Sequence, residues 1–291
     1  MAQFFISAAH KSSGKTMVSI GLAAAFGARG LRVQPFKKGP DYIDPMWLAR
    51  ASGRPCYNLD FNTQTETEIR ALFSRHAGRA DLALTEGNKG LHDGVDIEGR
   101  DSSAALAKLI GAPVILVIDV TGFTRGVAPM VLGNLIFDRD VAIRGVILNR
   151  VASPRQEGKL RQAIERYTDV PVIGAVGRDS TLVVKERHLG LTTPGEMATL
   201  DEMIGRLRLA VERGVNLDRV LEIARCSSIL RHSPKQPAND DGSALPDKKT
   251  APGSCFEQTT LMQDDGFLPS QPHRWQGRTY RSQLGQQHQS S

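Results

Sequence analysis

The chain has 291 residues, 40% hydrophobic and 23% charged, enough for one large α/β domain or two small ones. A formal charge of +6, part of it in the C-terminal segment, is too small to argue for a polyanionic partner, so neither nucleic acid nor a membrane is expected as one. Cys56, Cys226 and Cys255 have no C-x-x-C or metal-ligand spacing and read as free thiols of a reducing compartment.

The chain opens on MAQFFISA, which has neither the basic region nor the long apolar region of a signal peptide, and a cytoplasmic location is expected. Phe4-Phe5-Ile6 reads as a first strand and Met17 to Gly27 as the helix after it. Leu31 to Phe36 is a second strand. A helix from about Thr65 to His76 precedes a third strand, Asp81 to Thr85. Ser103 to Ile110 is helical, and Pro113 to Asp119 is a nearly unbroken apolar strand. Val141 to Leu148, a helix from Pro154 to Tyr167 and a short strand, Val170 to Val176, complete the pattern. Unbroken apolar strands separated by helices predict an α/β, doubly wound, mostly parallel sheet with both faces covered. The longest apolar run, Pro113 to Val120, is interrupted by Asp119 and is too short to span a bilayer. From Ser228 to Ser291 only eight residues are Ile, Leu or Phe and none is Val. That composition cannot offset its ordering entropy. The expected organisation is therefore one domain over residues 1–226 and a disordered polar tail over 227–291.

The residues with chemistry gather at the ends of the strands. SAAHKSSGKTMV (7–18) closes on Gly14-Lys15-Thr16, as a phosphate loop does, although Ala9 stands where the usual motif has glycine. A strand before it and a helix after it favour a phosphate loop over a chance triplet at a helix start. In such a loop backbone N–H groups bind phosphate oxygens, the lysine reaches the outer phosphates and the threonine hydroxyl ligates Mg²⁺. Mg²⁺ also takes one or two carboxylates. Asp41 and Asp44, in the segment KKGPDYIDP read as a loop, and Glu86, in TEGNKG, are the candidates. Two lysines and two acids in one loop also describe a solvated turn. Asn149 follows a strand and Asp93 precedes Gly94, and each taken alone also reads as a turn residue.

The blocks AAHKSSGKT, VQPFKKGPDYIDP, EGNKGLHDG, GAPVILVID, GVILNRV, PVIGAV and ERHLGL occur in this order over about residues 1–226. Together they resemble the N-terminal synthetase domain of the cobyrinic acid a,c-diamide synthase family, related to dethiobiotin synthetase and to the MinD/ParA nucleotide-binding proteins. EGNKGLHDG and PCYNLDFNT are similar to a branch of that family proposed to amidate sirohaem. The resemblance implies ATP-dependent amidation of the a and c acetate carboxylates of an anionic tetrapyrrole, with ammonia taken from glutamine. It implies ATP held by His10, Lys11, Ser12, Ser13, Gly14, Lys15 and Thr16, with Asn149 on the adenine. It further implies Mg²⁺ held by Thr16, Asp41 and Glu86. Asp44 and Asp93 would orient substrate or ammonia, Lys37 would stabilise the transferred phosphoryl group, and the assembly would be a homodimer.

The chain departs from the family pattern in one respect. The family carries a second, glutaminase domain with a nucleophilic cysteine in a glycine-rich elbow. None of the three cysteines here stands in such a setting. Ammonia itself, or a separate glutaminase domain or subunit, is then the expected nitrogen source. Two readings compete with the ligase: a MinD/ParA-like nucleotide-switch ATPase and an inactive, truncated remnant of the ligase. The acid-rich loop argues against the switch. So does His10, which stands where MinD-type proteins have a lysine.

Overall fold

The computed structural model describes residues 1–182 and 194–230. The ERHLGL block, Cys255 and nearly all of the polar tail lie outside the described residues. Seven strands form one sheet: β1 (Ala2–Ala8), β2 (Val33–Lys38), β3 (Tyr57–Leu59), β4 (Leu82–Glu86), β5 (Val114–Asp119), β6 (Ile143–Val151) and β7 (Val172–Gly177). Their spatial order is β3-β2-β4-β1-β5-β6-β7, and every pairing is parallel. The expected doubly wound α/β class is the observed one.

The apolar runs are unbroken because both faces of each strand are covered. Ile115 and Val117 of β5 join one core, and Val114, Leu116 and Ile118 join the other. Side chains two apart share a face, so alternate residues feed opposite cores. The first core holds α1 (Lys15–Ala28), α2 (Ile43–Ser52), α7 (Pro194–Gly214) and α8 (Leu217–Leu230) against the sheet. The second holds α3 (Glu66–Ala77), α4 (Ser103–Ile110), α5 (Val127–Phe137) and α6 (Pro154–Tyr167). Local signals set several ends. Thr65 and Glu68 form a reciprocal capping box on α3, and Ser153 caps α6 with Pro154 in its first turn.

Four helices and one strand go beyond the sequence reading: α2, α5, α7, α8 and β3. In α2 and α5 a proline, Pro45 or Pro129, is the third helical residue. A first-turn residue has no intrahelical acceptor for its N–H, so proline costs nothing there. The segment from Asp41 to Pro45 is therefore not all loop, and Asp44 stands on the first turn of α2. No helix among the described residues is long and apolar enough to cross a membrane.

β1 is central and pairs with β4 on one side and β5 on the other. The order of connection across the sheet switches sides there, and in open parallel sheets such a switch point marks the ligand edge at the carboxyl ends of the strands. The phosphate loop, Glu86 and Asn149 all belong to that edge.

Candidate functional site

The loop after β1 is built by two left-handed residues, Ser12 (φ 62°) and Gly14 (φ 90°). Ala9 is not one of them, so its methyl group causes no strain at the position where the usual motif has glycine. Gly14 is required twice over. Its φ suits glycine, and a Cβ there would meet Asn149 Nδ2 at 2.1 Å. Ser13 is fully buried and its hydroxyl donates to His10 O at 2.7 Å, which closes the loop on itself. His10, Lys11 and Ser12 are exposed on its rim. Lys15 is 7% exposed and has no hydrogen bond or ion pair among the described residues. Burial lowers its pKa below the usual lysine value, against the pull of Glu86.

Beside the loop four side chains converge. Thr16 Oγ1 lies 2.8 Å from Glu86 Oε1 and 3.1 Å from Asp44 Oδ2, so its single O–H can donate to either carboxylate. Lys37 Nζ donates to Asp44 Oδ2 at 2.6 Å, to Glu86 Oε1 at 2.8 Å and to Gly87 O at 3.2 Å. Asp41, expected next to Thr16 and Glu86, is used differently. Its Oδ1 accepts from Ile43 N at 3.0 Å and from Asp44 N at 3.2 Å, so it caps α2. Its other oxygen is 3.6 Å from Lys37 Nζ. Asp44 takes the place expected for Asp41, because the helix start turns Asp44 toward Thr16. Lys37 has all three N–H groups engaged, so in this arrangement it positions the carboxylates rather than reaching a phosphoryl group.

Glu86 Oε2 is buried with no hydrogen-bond partner among the described residues. A buried carboxylate oxygen without a donor suits a hard divalent cation. Thr16, Glu86 and Asp44 thus fit Mg²⁺, which takes few protein ligands and fills its shell with phosphate oxygens and water. No cage of three or more His, Cys, Asp or Glu side chains occurs among the described residues.

Asn149 is 2% exposed and its Nδ2 donates to Ser13 O at 2.9 Å. It therefore anchors the phosphate loop from below. Its Oδ1 is buried without a partner among the described residues, an acceptor that an exocyclic purine amine can satisfy. Asp93 Oδ2 accepts from Gly90 N at 2.9 Å, and Asp93 is among the charges that act on Lys15. The segment carrying Asp93 is fastened to β1: Gly87 N donates to Ile6 O and Leu91 N to Ala8 O, both at 2.8 Å.

Burial pushes the Glu86 carboxyl above its usual range despite the neighbouring Lys37. For Asp44 burial pushes the same way, but the Lys37 ammonium and the hydrogen bonds outweigh it and hold the carboxyl below its usual range. A depressed aspartate pKa contributes stability that is present above the unfolded value and lost as pH falls through the folded one. Asp44→Asn is therefore expected to be less stable than the native chain near pH 7, with the gap closing below about pH 4. Urea unfolding of both proteins across that range checks this; a constant gap would show that Asp44 acts through shape and not charge.

The geometry can be set beside known proteins. The model of the CobQ/CobB/MinD/ParA nucleotide binding domain matches residues 5–190. The chain belongs to that family. Curated relatives named cobyrinate a,c-diamide synthase include those of Magnetococcus marinus, 48% identical over 236 residues, and Dehalococcoides mccartyi, 42% identical over 230. These alignments cover 81% and 79% of this chain and 50% of each relative, so the chain spans about half their length. The solved MinD complexed with Mg-ADP from Pyrococcus horikoshii is 15% identical with a TM-score of 0.45, covering 80% of this chain and 99% of that one; a likeness so distant carries no functional argument.

Within this nucleotide binding domain some supporting residues gave no signal in the sequence. Ser103, fully buried on α4, accepts from Asn88 N at 3.0 Å and donates to Asn88 O at 2.9 Å. It thereby holds the turn after Glu86, and a Cβ on Gly87 would strike its hydroxyl at 2.7 Å. Arg150 is left-handed (φ 61°) and pairs with Asp119 at 2.6 Å, beside Asn149. Serine and arginine at such spacings are common on any α/β rim, so only the closed geometry singles them out.

Proposed function

We propose that this chain is the nucleotide-binding, carboxylate-activating part of an ATP-dependent amidoligase acting on the acetate carboxylates of a tetrapyrrole. The observation that carries this reading is the convergence of Thr16, Asp44 and Glu86 beside a buried Lys15 with no hydrogen-bond or ion-pair partner among the described residues. The printed names of the relatives supply the substrate class, cobyrinate. Asn88-Lys89, in the block similar to the sirohaem branch, favours sirohaem as the particular macrocycle. Amidation of the two compounds side by side decides between them.

A carboxylate is a poor acyl donor because oxide is a poor leaving group. An acceptor carboxylate oxygen attacks the γ-phosphorus of ATP, and the bond from that phosphorus to the β–γ bridging oxygen breaks. ADP leaves and an acyl phosphate remains. The ammonia nitrogen then attacks the acyl carbon, phosphate departs with its electron pair, and the nitrogen loses a proton. Lys15 balances the charge on the outer phosphate oxygens, and the loop N–H groups hold them. Asn149 keeps the loop in place from below. Lys37 keeps Glu86 and Asp44 together. Asp93, exposed near Lys15, is assigned the proton from nitrogen. Mg²⁺, when bound by Thr16, Glu86 and Asp44, supplies neutralisation of the phosphate charge.

The mechanism is tested with acceptor labelled by ¹⁸O in its carboxylates. Each amide formed should send one labelled oxygen into inorganic phosphate. Unlabelled phosphate would remove the acyl phosphate and favour the nucleotide-switch reading.

The nitrogen source has its own test. Burial pushes the Cys56 thiol far above its usual range, with Glu86 adding to the effect, so it is a poor nucleophile. Cys226 lies in α8, and Cys255 is outside the described residues. The 291-residue chain is therefore expected to form amide with ammonium salts at mildly alkaline pH and essentially none with glutamine. Glutamine-driven turnover abolished by Cys255→Ala would overturn that expectation.

A further inference from the structure

Three lysines are buried among the described residues: Lys15, Lys37 and Lys38. Lys37 is paired with Glu86 and Asp44. Lys15 awaits the phosphates of a nucleotide. Lys38, the last residue of β2, is 8% exposed, and its ammonium makes no hydrogen bond or ion pair among the described residues.

Adjacent strand residues point to opposite faces, so Lys38 is directed away from the cluster that holds Lys37. Burial lowers its pKa, and the charges acting on it are, in order, Asp101, Asp60, Lys89 and Lys37. The two acids already accept hydrogen bonds from their own segments. Asp60 accepts from Asn62 N, Asn62 Nδ2 and Thr63 Oγ1. Asp101 accepts from Val95 N and Asp96 N. They supply a field, and no acceptor for the three N–H groups of Lys38. The Lys38 stem is covered, while its ammonium is not one of the fully enclosed polar atoms and keeps access to solvent. It stands next to the nucleotide site as a cation with no ion partner among the described residues.

The surroundings suit an anion carried on an apolar frame. The segment that Asp101 fastens bears Val95 and Ile97, 89% and 97% exposed. Lys89, also exposed, is a second cation at the same edge. We propose that Lys38 anchors a carboxylate of the acceptor substrate, one that is held and not activated. This rests on the amidoligase reading above. Such an anchor lets an acceptor with many acetate groups present one to the γ-phosphate while another fixes its orientation.

The test uses the full chain, native and as Lys38→Met. Cobyrinate and sirohaem binding is followed by absorbance with Mg²⁺ and a non-hydrolysable ATP analogue present, and affinity for the analogue alone by calorimetry. Lys38→Met is expected to bind the macrocycle at least tenfold more weakly, the analogue within twofold of native, and to melt no lower. Methionine keeps the covered stem and breaks no ion pair, so stability should be nearly unchanged. Unchanged macrocycle affinity would overturn the proposal and leave the amidoligase reading standing. A parallel fall in analogue affinity would give Lys38 to the nucleotide phosphates instead. A lower melting temperature with both affinities reduced would make it structural. If the native chain binds the analogue but neither macrocycle, the amidoligase reading itself falls, and this inference with it. Lys38→Gln, which keeps a donor without the charge, replaces the methionine variant if that one does not fold.

Discussion

Lys37→Met should cost about 3–5 kcal/mol of unfolding free energy, the range for removing one partner of a buried ion pair. The size follows from what is left behind. Lys37 is 1% exposed and Glu86 is fully buried. Glu86 Oε1 would keep only the Thr16 hydroxyl as a donor, and Glu86 Oε2 has none already. Asp44 Oδ2 would lose its 2.6 Å contact and face Glu86 without an intervening cation. Methionine has nearly the length of lysine, so packing is largely retained and the loss reports charge. Urea unfolding measures it. The double variant Lys37→Met with Glu86→Gln supplies the control, since removing the stranded charge should recover part of the stability. A loss below about 1 kcal/mol would place the pair in the range of a solvated surface ion pair and contradict the buried cluster. Nucleotide-dependent turnover should fall as well, because Glu86 and Asp44 would no longer be held against Thr16.

Lys15→Ala should weaken binding of an ATP analogue roughly 10- to 100-fold, the equivalent of one or two charge-assisted hydrogen bonds. Turnover should fall by about 10²–10³-fold, as when one preorganised donor is taken from a transition state. Unlike Lys37, Lys15 has no hydrogen-bond or ion-pair partner among the described residues to be stranded, and burial works against its charge. Its removal should leave stability equal or slightly higher while ligand binding fails. That opposition separates a ligand-binding lysine from a structural one, and the two lysines of the site should fall on opposite sides of it. Calorimetry with the analogue and a urea melt on the same preparation suffice. Equal analogue affinity in the native and Lys15→Ala chains would remove the phosphate-loop assignment.

The sequence by itself determined the doubly wound class and the position of the site. Period-two cores on both faces leave unbroken runs such as Val114 to Ile118, and polar residues at strand ends mark the ligand edge. Gly14, Lys15 and Thr16 were legible for the same reason, since a phosphate loop is local in the chain and its conformation depends on near neighbours. What required long-range closure was not legible. The starts of α2 and α5 gave no signal in the sequence, and each carries a proline as its third residue, where no intrahelical N–H bond is needed. Which of Asp41 and Asp44 meets Thr16 depended on that start, because the same two backbone N–H groups that begin α2 occupy Asp41. Lys37 and Lys38 are equivalent as adjacent letters. Only the sheet, with its alternating faces and different acids on each side, surrounds one ammonium with three acceptors and leaves the other with none among the described residues.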